Sequence, residues 1–316
     1  MNIWNFIKTE IDNNNSVYLM VVIQSNGSSP GRQGFSMAVG NNNSLFGSIG
    51  GGAMEYRLVE ECKKLLKNNQ QQIFTKKQVH KGNVDEGSGM ICSGEQTVAF
   101  IPFSSPDLPV LSQIELCISK KSTGKFTLTP AGYSFEESDN TSIPQYSYFL
   151  SNENDWKYSE IIGFRNTLYV VGAGHVGYAV SKLFTQLNFK VIVIDNRADL
   201  GMLTNNDYTD EKLIINYKDV SDYISESDNS YVVIMTNNHT HDQEVLSLLI
   251  RKKLKYIGLM GSKEKVAGLK KAMRKIGFNN DELNHVHSPI GISINSKTPD
   301  EIAISIAAEI ISIKNM

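Results

Sequence analysis

The stretch Leu168-Tyr-Val-Val-Gly172-Ala-Gly174-His-Val-Gly177-Tyr-Ala-Val-Ser-Lys-Leu-Phe constrains this chain more than any other. An apolar run leads into glycines spaced GxGxxG, and an amphipathic helical pattern follows, which is the context the fingerprint requires. Gly172 permits a tight turn, Gly174 lets a pyrophosphate approach, and Gly177 allows close packing of helix on strand. The next apolar run, Lys190-Val-Ile-Val-Ile-Asp195, ends in an acid 23 positions after Gly172. An acid there accepts hydrogen bonds from a ribose 2′-hydroxyl and disfavours a 2′-phosphate, which points to NAD(H). Arg197, two residues on, suits an additional phosphate and leaves the choice between the two dinucleotides open.

The same rhythm of apolar strand, turn and helix repeats at 167–171, 190–194, 213–215, 231–235 and 256–260. Continuous apolar strands separated by helical patterns predict a parallel sheet covered on both faces. The earlier half has a different texture. A helix to about residue 12 precedes strands at 17–23 and 35–39, a short strand at 45–46 and an amphipathic helix over 54–68. From 104 to 160, alternating stretches such as Lys125-Phe-Thr-Leu-Thr and Tyr146-Ser-Tyr-Phe-Leu read as antiparallel strands. The predicted fold class is therefore α/β. It comprises a C-terminal Rossmann-like parallel-sheet domain (163–316) and a smaller N-terminal α+β domain (1–162) with a strand-rich extension at 104–160. The boundary is placed at about 160–166.

The remaining composition excludes several classes. Thirty-one basic residues against 33 acidic give a net charge of −2, so no basic field argues for nucleic acid or an anionic membrane. No apolar run approaches the roughly 20 residues that span a bilayer, and the start lacks the apolar region of a signal peptide. Cys62, Cys92 and Cys117 show no CxxC spacing, which fits a reducing cytosol without a structural zinc site. Cys62 and Cys117 fall on apolar helical spacing and read as core. Thr298, Pro299 and Glu301 predict a capped structural helix at the end of the chain.

Candidate site residues gather where the C-terminal strands end, since open α/β sheets place ligands there. They are His175 in the glycine loop, His239 and Asp242 after the fourth strand, and Ser262 and Lys263 at a helix start suited to an anion. His239/His241 and His285/His287 have the form His-x-His, but carboxylate and cysteine partners are missing, so a plain extended segment explains them better than a metal.

Three glycine-containing loops mark the N-terminal half. Asn26-Gly-Ser-Ser-Pro-Gly-Arg32 offers Ser28, Ser29 and the Arg32 cation to a phosphate or oxyanionic ring. Gly47-Ser-Ile-Gly-Gly-Gly52 leads into a helix, and Gly50, Gly51 and Gly52 are read as a backbone nest for an anion. In Gly87-Ser-Gly-Met-Ile-Cys92-Ser-Gly94, Cys92 is either a small buried hydrophobe or an accessible thiol able to touch a soft metal or sulfur.

Taken in order, these blocks resemble the xanthine dehydrogenase accessory (maturation) factor family, the XdhC/CoxI group. The matching stretches are Gly27-Ser-Ser-Pro with Gly34, Gly47 to Glu55, Gly89 to Gly94, Val171 to Gly177, Met235 to Asp242, Tyr256 to Lys263, and His287 to Gly291 with Thr298 to Ala303. The resemblance implies a cytoplasmic factor that binds molybdenum cofactor (molybdopterin) and protects it. Such a factor presents the cofactor to a cysteine desulfurase for sulfuration and delivers it to the apoenzyme of a xanthine dehydrogenase-type molybdenum hydroxylase. It implies an insertion factor more than a stand-alone enzyme, with the N-terminal loops at the pterin and Cys92 near the metal or its sulfur ligand. NAD(H) is a second cofactor candidate, and a homodimer is the working oligomeric state. Two departures stand out: Ala53 where one branch of the family has Cys, and Ser93 where Gly is common. The competing readings are an NAD-dependent oxidoreductase using His239 and Asp242 as acid–base groups, and a redox-sensing regulator.

Overall fold

The computed structural model describes residues 2–80, 94–138, 144–152, 155–164 and 166–316. They divide into two units, Met1–Gly163 and Phe164–Met316.

The first unit runs α1 (Ile3–Asp12), β1 (Val17–Gly27), β2 (Ser36–Gly40), β3 (Leu45–Gly47), α2 (Gly52–Lys67), β4 (Phe74–His80), β5 (Gly94–Phe103) and α3 (Leu108–Ser119). It continues through β6 (Thr123–Thr129), β7 (Gly132–Glu137), β8 (Tyr146–Asn152) and β9 (Asp155–Gly163). An antiparallel sheet of order β3-β2-β1-β5-β4 carries the glycine loops, and β7-β6-β9-β8 forms a second antiparallel sheet. β1 is covered on both faces, which explains its unbroken apolar run. Val17, Leu19, Val21 and Ile23 join a core with α1, α3 and the second sheet, while Tyr18, Met20 and Val22 pack beneath Leu58, Val59 and Cys62 of α2.

Three details differ from the sequence expectation. β1 continues through the polar 24–27 segment because that backbone pairs with Gly94 to Thr97 of β5, after an irregularity between Val22 and Gln24. β4 is an addition: Thr75 to Gln78 form a polar strand at the sheet edge, anchored by Phe74 stacked on Phe100 at 4.5 Å. The strand-rich 104–160 region begins with a helix, α3, whose Leu111, Ile114 and Cys117 are buried.

The second unit alternates β10 (Asn166–Val171), α4 (His175–Gln186), β11 (Phe189–Asp195), α5 (Gly201–Thr204), β12 (Glu211–Ile214), α6 (Val220–Tyr223) and β13 (Ser227–Ile234). α7 (His239–Leu249), β14 (Leu254–Leu259), α8 (Lys263–Lys275), α9 (Asn280–Asn284) and α10 (Pro299–Lys314) complete it. The five strands are parallel in the order β12-β11-β10-β13-β14. α4 and α10 bury Val180, Phe184, Ile306 and Ile310 against one face. Val245, Leu249 and Met273 of α7 and α8 join Tyr217 and Val220 against the other. This is the expected doubly covered Rossmann sheet, and its strand order reverses between β10 and β13, where such folds bind ligands. The final helix starts on Thr298 with Pro299 and a Glu301 capping box, as its sequence predicts. Among the described residues, no helix is long and apolar enough to cross a membrane.

Candidate functional site

At the reversal point, the three fingerprint glycines separate by role. Gly172 has φ +116°, and a Cβ there would collide with the Met235 carbonyl of the neighbouring loop. A Cβ at Gly177 would collide with the Gly172 carbonyl, so this glycine sets how closely α4 approaches its own turn. Gly174, the N-cap of α4, has nothing within 4 Å of a Cβ position. Two glycines are needed by the packing, and the third leaves a free edge at the helix start, the arrangement a pyrophosphate uses. His175 is exposed at the first position of that helix.

The acids beside this edge are both wholly buried and both paired. Asp195 accepts from the Ala173 N–H at 2.8 Å, from the Arg197 N–H at 3.0 Å, and from Nε and Nη2 of Arg197 at 2.8 Å each. Burial pushes its carboxyl upward, but these bonds and the guanidinium charge outweigh that and hold it below the usual carboxylate range. Asp242, in the first turn of α7, accepts from the N–H and hydroxyl of Thr236 at 3.0 and 2.6 Å and from Lys265 Nζ at 2.8 Å.

This network redistributes the expected roles. His239 is exposed, and among the described residues no hydrogen bond joins it to Asp242, so the two do not form an acid–base pair here. Ser262 caps α8 by accepting from the Lys265 N–H at 3.2 Å, and Lys263 is exposed. Lys265, absent from the sequence candidates, supplies the paired cation. The choice between neighbouring lysines depends on where Asp242 lies, which residue spacing does not give. His241 stacks edge-on against Tyr217 at 5.2 Å, and both His241 Nδ1 and the Tyr217 hydroxyl are buried without a hydrogen-bond partner among the described residues. His287 belongs elsewhere: it lies over Tyr256 at 4.7 Å and meets Glu309 through Nδ1 at 3.3 Å.

In the first unit, the glycine loops converge. A Cβ at Gly50 would press on the Gly31 nitrogen and Pro30, one at Gly31 on the Ile49 carbonyl, and one at Gly94 on the Ser29 nitrogen. Gln96, 1 % exposed on β5, ties them together. Its carbonyl oxygen accepts from Ser29 Oγ at 2.8 Å and from the Gly31 N–H at 3.0 Å, and its amide donates to the Ile49 carbonyl at 3.3 Å. Ser29 is thus a buried structural hydroxyl, whereas Ser28 and Arg32 are exposed; Arg32 donates to the Gly27 carbonyl at 3.1 Å.

The glycine triplet behaves differently from an empty nest. Gly50, Gly51 and Gly52 have φ of +129°, +72° and +72°, a run only glycine adopts readily. Within the loop, Glu55 already supplies an anion: its Oε2 accepts from Ser48 Oγ at 2.7 Å, the Ile49 N–H at 2.8 Å and the Gly51 N–H at 3.0 Å. Burial raises this carboxyl, and those donors together with the Gly50 N–H outweigh it and hold it low. The open parts of the loop are Gly51, whose Cβ position has nothing within 4 Å, and the exposed Gly52 and Ala53. Cys92 and Ser93 lie outside the described residues. Cys62 and Cys117 are buried, and burial pushes the Cys62 thiol up to about 12. Among the described residues, no cluster of three or more metal-ligating side chains is present.

Family models match both halves of the chain. The XdhC and CoxI family model covers residues 11–76, and the XdhC Rossmann domain model covers residues 168–310. The chain belongs to the XdhC/CoxI family. The first match contains the Ser28–Arg32 and Gly50–Glu55 loops, and the second contains the whole network from Gly172 to Glu309. Among relatives, the chain is 25% identical over 297 residues to "Uncharacterized protein YqeB" of Escherichia coli K12, covering 93% of this chain and 43% of that protein. It is 27% identical over 144 residues to a probable xanthine dehydrogenase subunit of Bacillus subtilis, covering 46% of this chain and 42% of that one. The matches thus span less than half the length of either relative. A crystal structure of a xanthine dehydrogenase from Bacillus halodurans superposes with a TM-score of 0.75 at 23% identity, covering 100% of this chain and 96% of that chain. At that identity the likeness establishes a shared fold.

Proposed function

We propose that this chain is a xanthine dehydrogenase accessory factor that binds molybdenum cofactor and protects it. In this reading it holds the cofactor for sulfuration by a cysteine desulfurase and delivers it to a xanthine dehydrogenase-type apoenzyme. The accessory role is supported by the family models over both halves and by the name of the Bacillus subtilis relative. The observation that carries the finer reading is the convergence of the Ser28–Arg32, Gly50–Gly52 and Gly94 loops around Gln96. Loops so closely packed present backbone and small side chains over one area, as an aromatic ring with a phosphate requires.

The residues present fit such a group in part. Exposed Ser28 and Arg32 offer a hydroxyl and a fixed cation, and the Cβ position of Gly51 before α2 meets nothing within 4 Å. Ile49 and Gly51 already give their N–H groups to Glu55, so the phosphate would rely on Arg32 and Ser28 more than on the nest. When bound, the cofactor supplies the molybdenum–dithiolene chemistry of the client enzyme; this chain's residues hold and shield it. Against the oxidoreductase alternative, Asp242 is buried and paired with Lys265.

The test is binding of molybdopterin to the purified chain by fluorescence or calorimetry, followed by activation of a cofactor-free xanthine dehydrogenase. The expected result is micromolar binding, weakened in Gly52→Val and Arg32→Ala, with Cys92→Ala folding normally but activating the enzyme poorly. A folded protein that shows no binding at micromolar concentrations sinks the proposal.

A further inference from the structure

The sequence rule that an acid at the end of the second Rossmann strand reads a ribose diol assumes that its lone pairs are available. In this chain they are not. A carboxylate offers about four acceptor directions, and four donors occupy those of Asp195: the Ala173 N–H, the Arg197 N–H, and Nε and Nη2 of Arg197. The acid is wholly buried, so a ribose hydroxyl would have to displace a charge-assisted partner to be accepted.

What the site offers instead is the other side of the guanidinium. The Arg197 side chain is 36% exposed and uses Nε and Nη2 on Asp195, which leaves Nη1 without a partner among the described residues. The ion pair holds the planar fork in one orientation, so a ligand need not order it. Beside it, the Tyr217 hydroxyl is buried against the Asn196 backbone and lacks a partner in bonding geometry among the described residues. The open Gly174 edge lies at the end of β10, the strand paired with β11. A pyrophosphate there directs the adenosine ribose toward the end of β11.

We propose that the Rossmann unit takes a dinucleotide through a 2′-phosphorylated ribose, and that Arg197 is the residue that selects phosphate over free diol. A phosphate accepts from the guanidinium without disturbing Asp195, whereas a diol presents donors to an acid that is already full. This is the reverse of the preference expected from Asp195 alone. It stands independently of the cofactor-delivery reading.

The experiment is fluorescence titration of the full chain with NADPH and NADH, with competition by 2′,5′-ADP and 5′-AMP. NADPH should bind about 10- to 100-fold more tightly than NADH, the worth of one or two charge-assisted hydrogen bonds. 2′,5′-ADP should compete, and 5′-AMP should do so weakly. In Arg197→Ala, affinity for NADPH should fall while that for NADH holds or rises, because Asp195 is uncovered; a purely structural arginine would lower both together. Arg197→Lys keeps the charge without the fork and should fall between. Equal or reversed affinities in the wild-type protein overturn the proposal, as does failure of both dinucleotides to bind at about 1 mM, far above typical specific affinities. The wild-type ratio decides the matter even if Arg197→Ala does not fold.

Discussion

The Asp242 carboxylate and the Lys265 ammonium lie 2.8 Å apart, the acid wholly buried and the lysine side chain 37% exposed. They join the first turns of α7 and α8, which follow the adjacent strands β13 and β14. Thr236 completes the shell of the acid from the intervening loop. The pair therefore fastens two βα turns at the ligand edge of the sheet.

Lys265→Met should destabilise the second unit by about 2 kcal/mol, because it leaves a buried carboxylate without its cation; the partial exposure of the lysine lowers the usual cost. Lys263→Met, two residues away on the surface, should stay within about 0.5 kcal/mol. Urea denaturation of the two variants measures the contrast, and equal midpoints would show that the ion pair contributes nothing.

Glu55 predicts a loop with acid-dependent stability. Its folded carboxyl is held below the ordinary range, so its contribution is complete above the unfolded value of about 4.3 and is lost as pH falls through the folded value. Glu55→Gln should cost about 1 kcal/mol at pH 7, and the difference should shrink below about pH 4. Melting curves of both proteins at pH 3.5 and 7 provide the check; a constant difference would separate Glu55 from the effect.

Glu160 predicts the opposite slope. Burial pushes its carboxyl up to about 7, and the bond from the Tyr158 hydroxyl at 2.7 Å only partly offsets this. A raised carboxylate favours the folded state below the unfolded value and loses that advantage as pH rises toward about 7. Glu160→Gln should therefore gain stability relative to wild type between pH 5 and 8, by on the order of 2 kcal/mol. Unchanged relative midpoints across that interval would place the carboxyl in contact with water.

Gly177→Ala and Gly174→Ala should part company. The first forces a methyl into the Gly172 carbonyl and should cost about 1–3 kcal/mol. The second meets nothing within 4 Å and should change stability by less than about 1 kcal/mol, while weakening any ligand phosphate that rests on the helix start. Thermal melts together with nucleotide titration separate the two effects.

The local elements were legible because their causes are local. Apolar strands between helical patterns specify a covered parallel sheet, GxGxxG specifies the turn into α4, and Thr298, Pro299 and Glu301 specify the start of α10. β4 was not legible, since a polar edge strand carries little periodic signal. The partners of the site residues depend on tertiary structure. Gln96 reaches Ser29 across 67 positions, Asp195 is claimed by Ala173 and Arg197, and Glu55 fills the donors of its own glycine loop. Residue order and spacing alone specify two sets of glycine loops, one fingerprint and the acids near them. Only the folded chain decided which acids remain free to meet a ligand, because hydrogen-bond capacity is finite and the donors that exhaust it come from other segments.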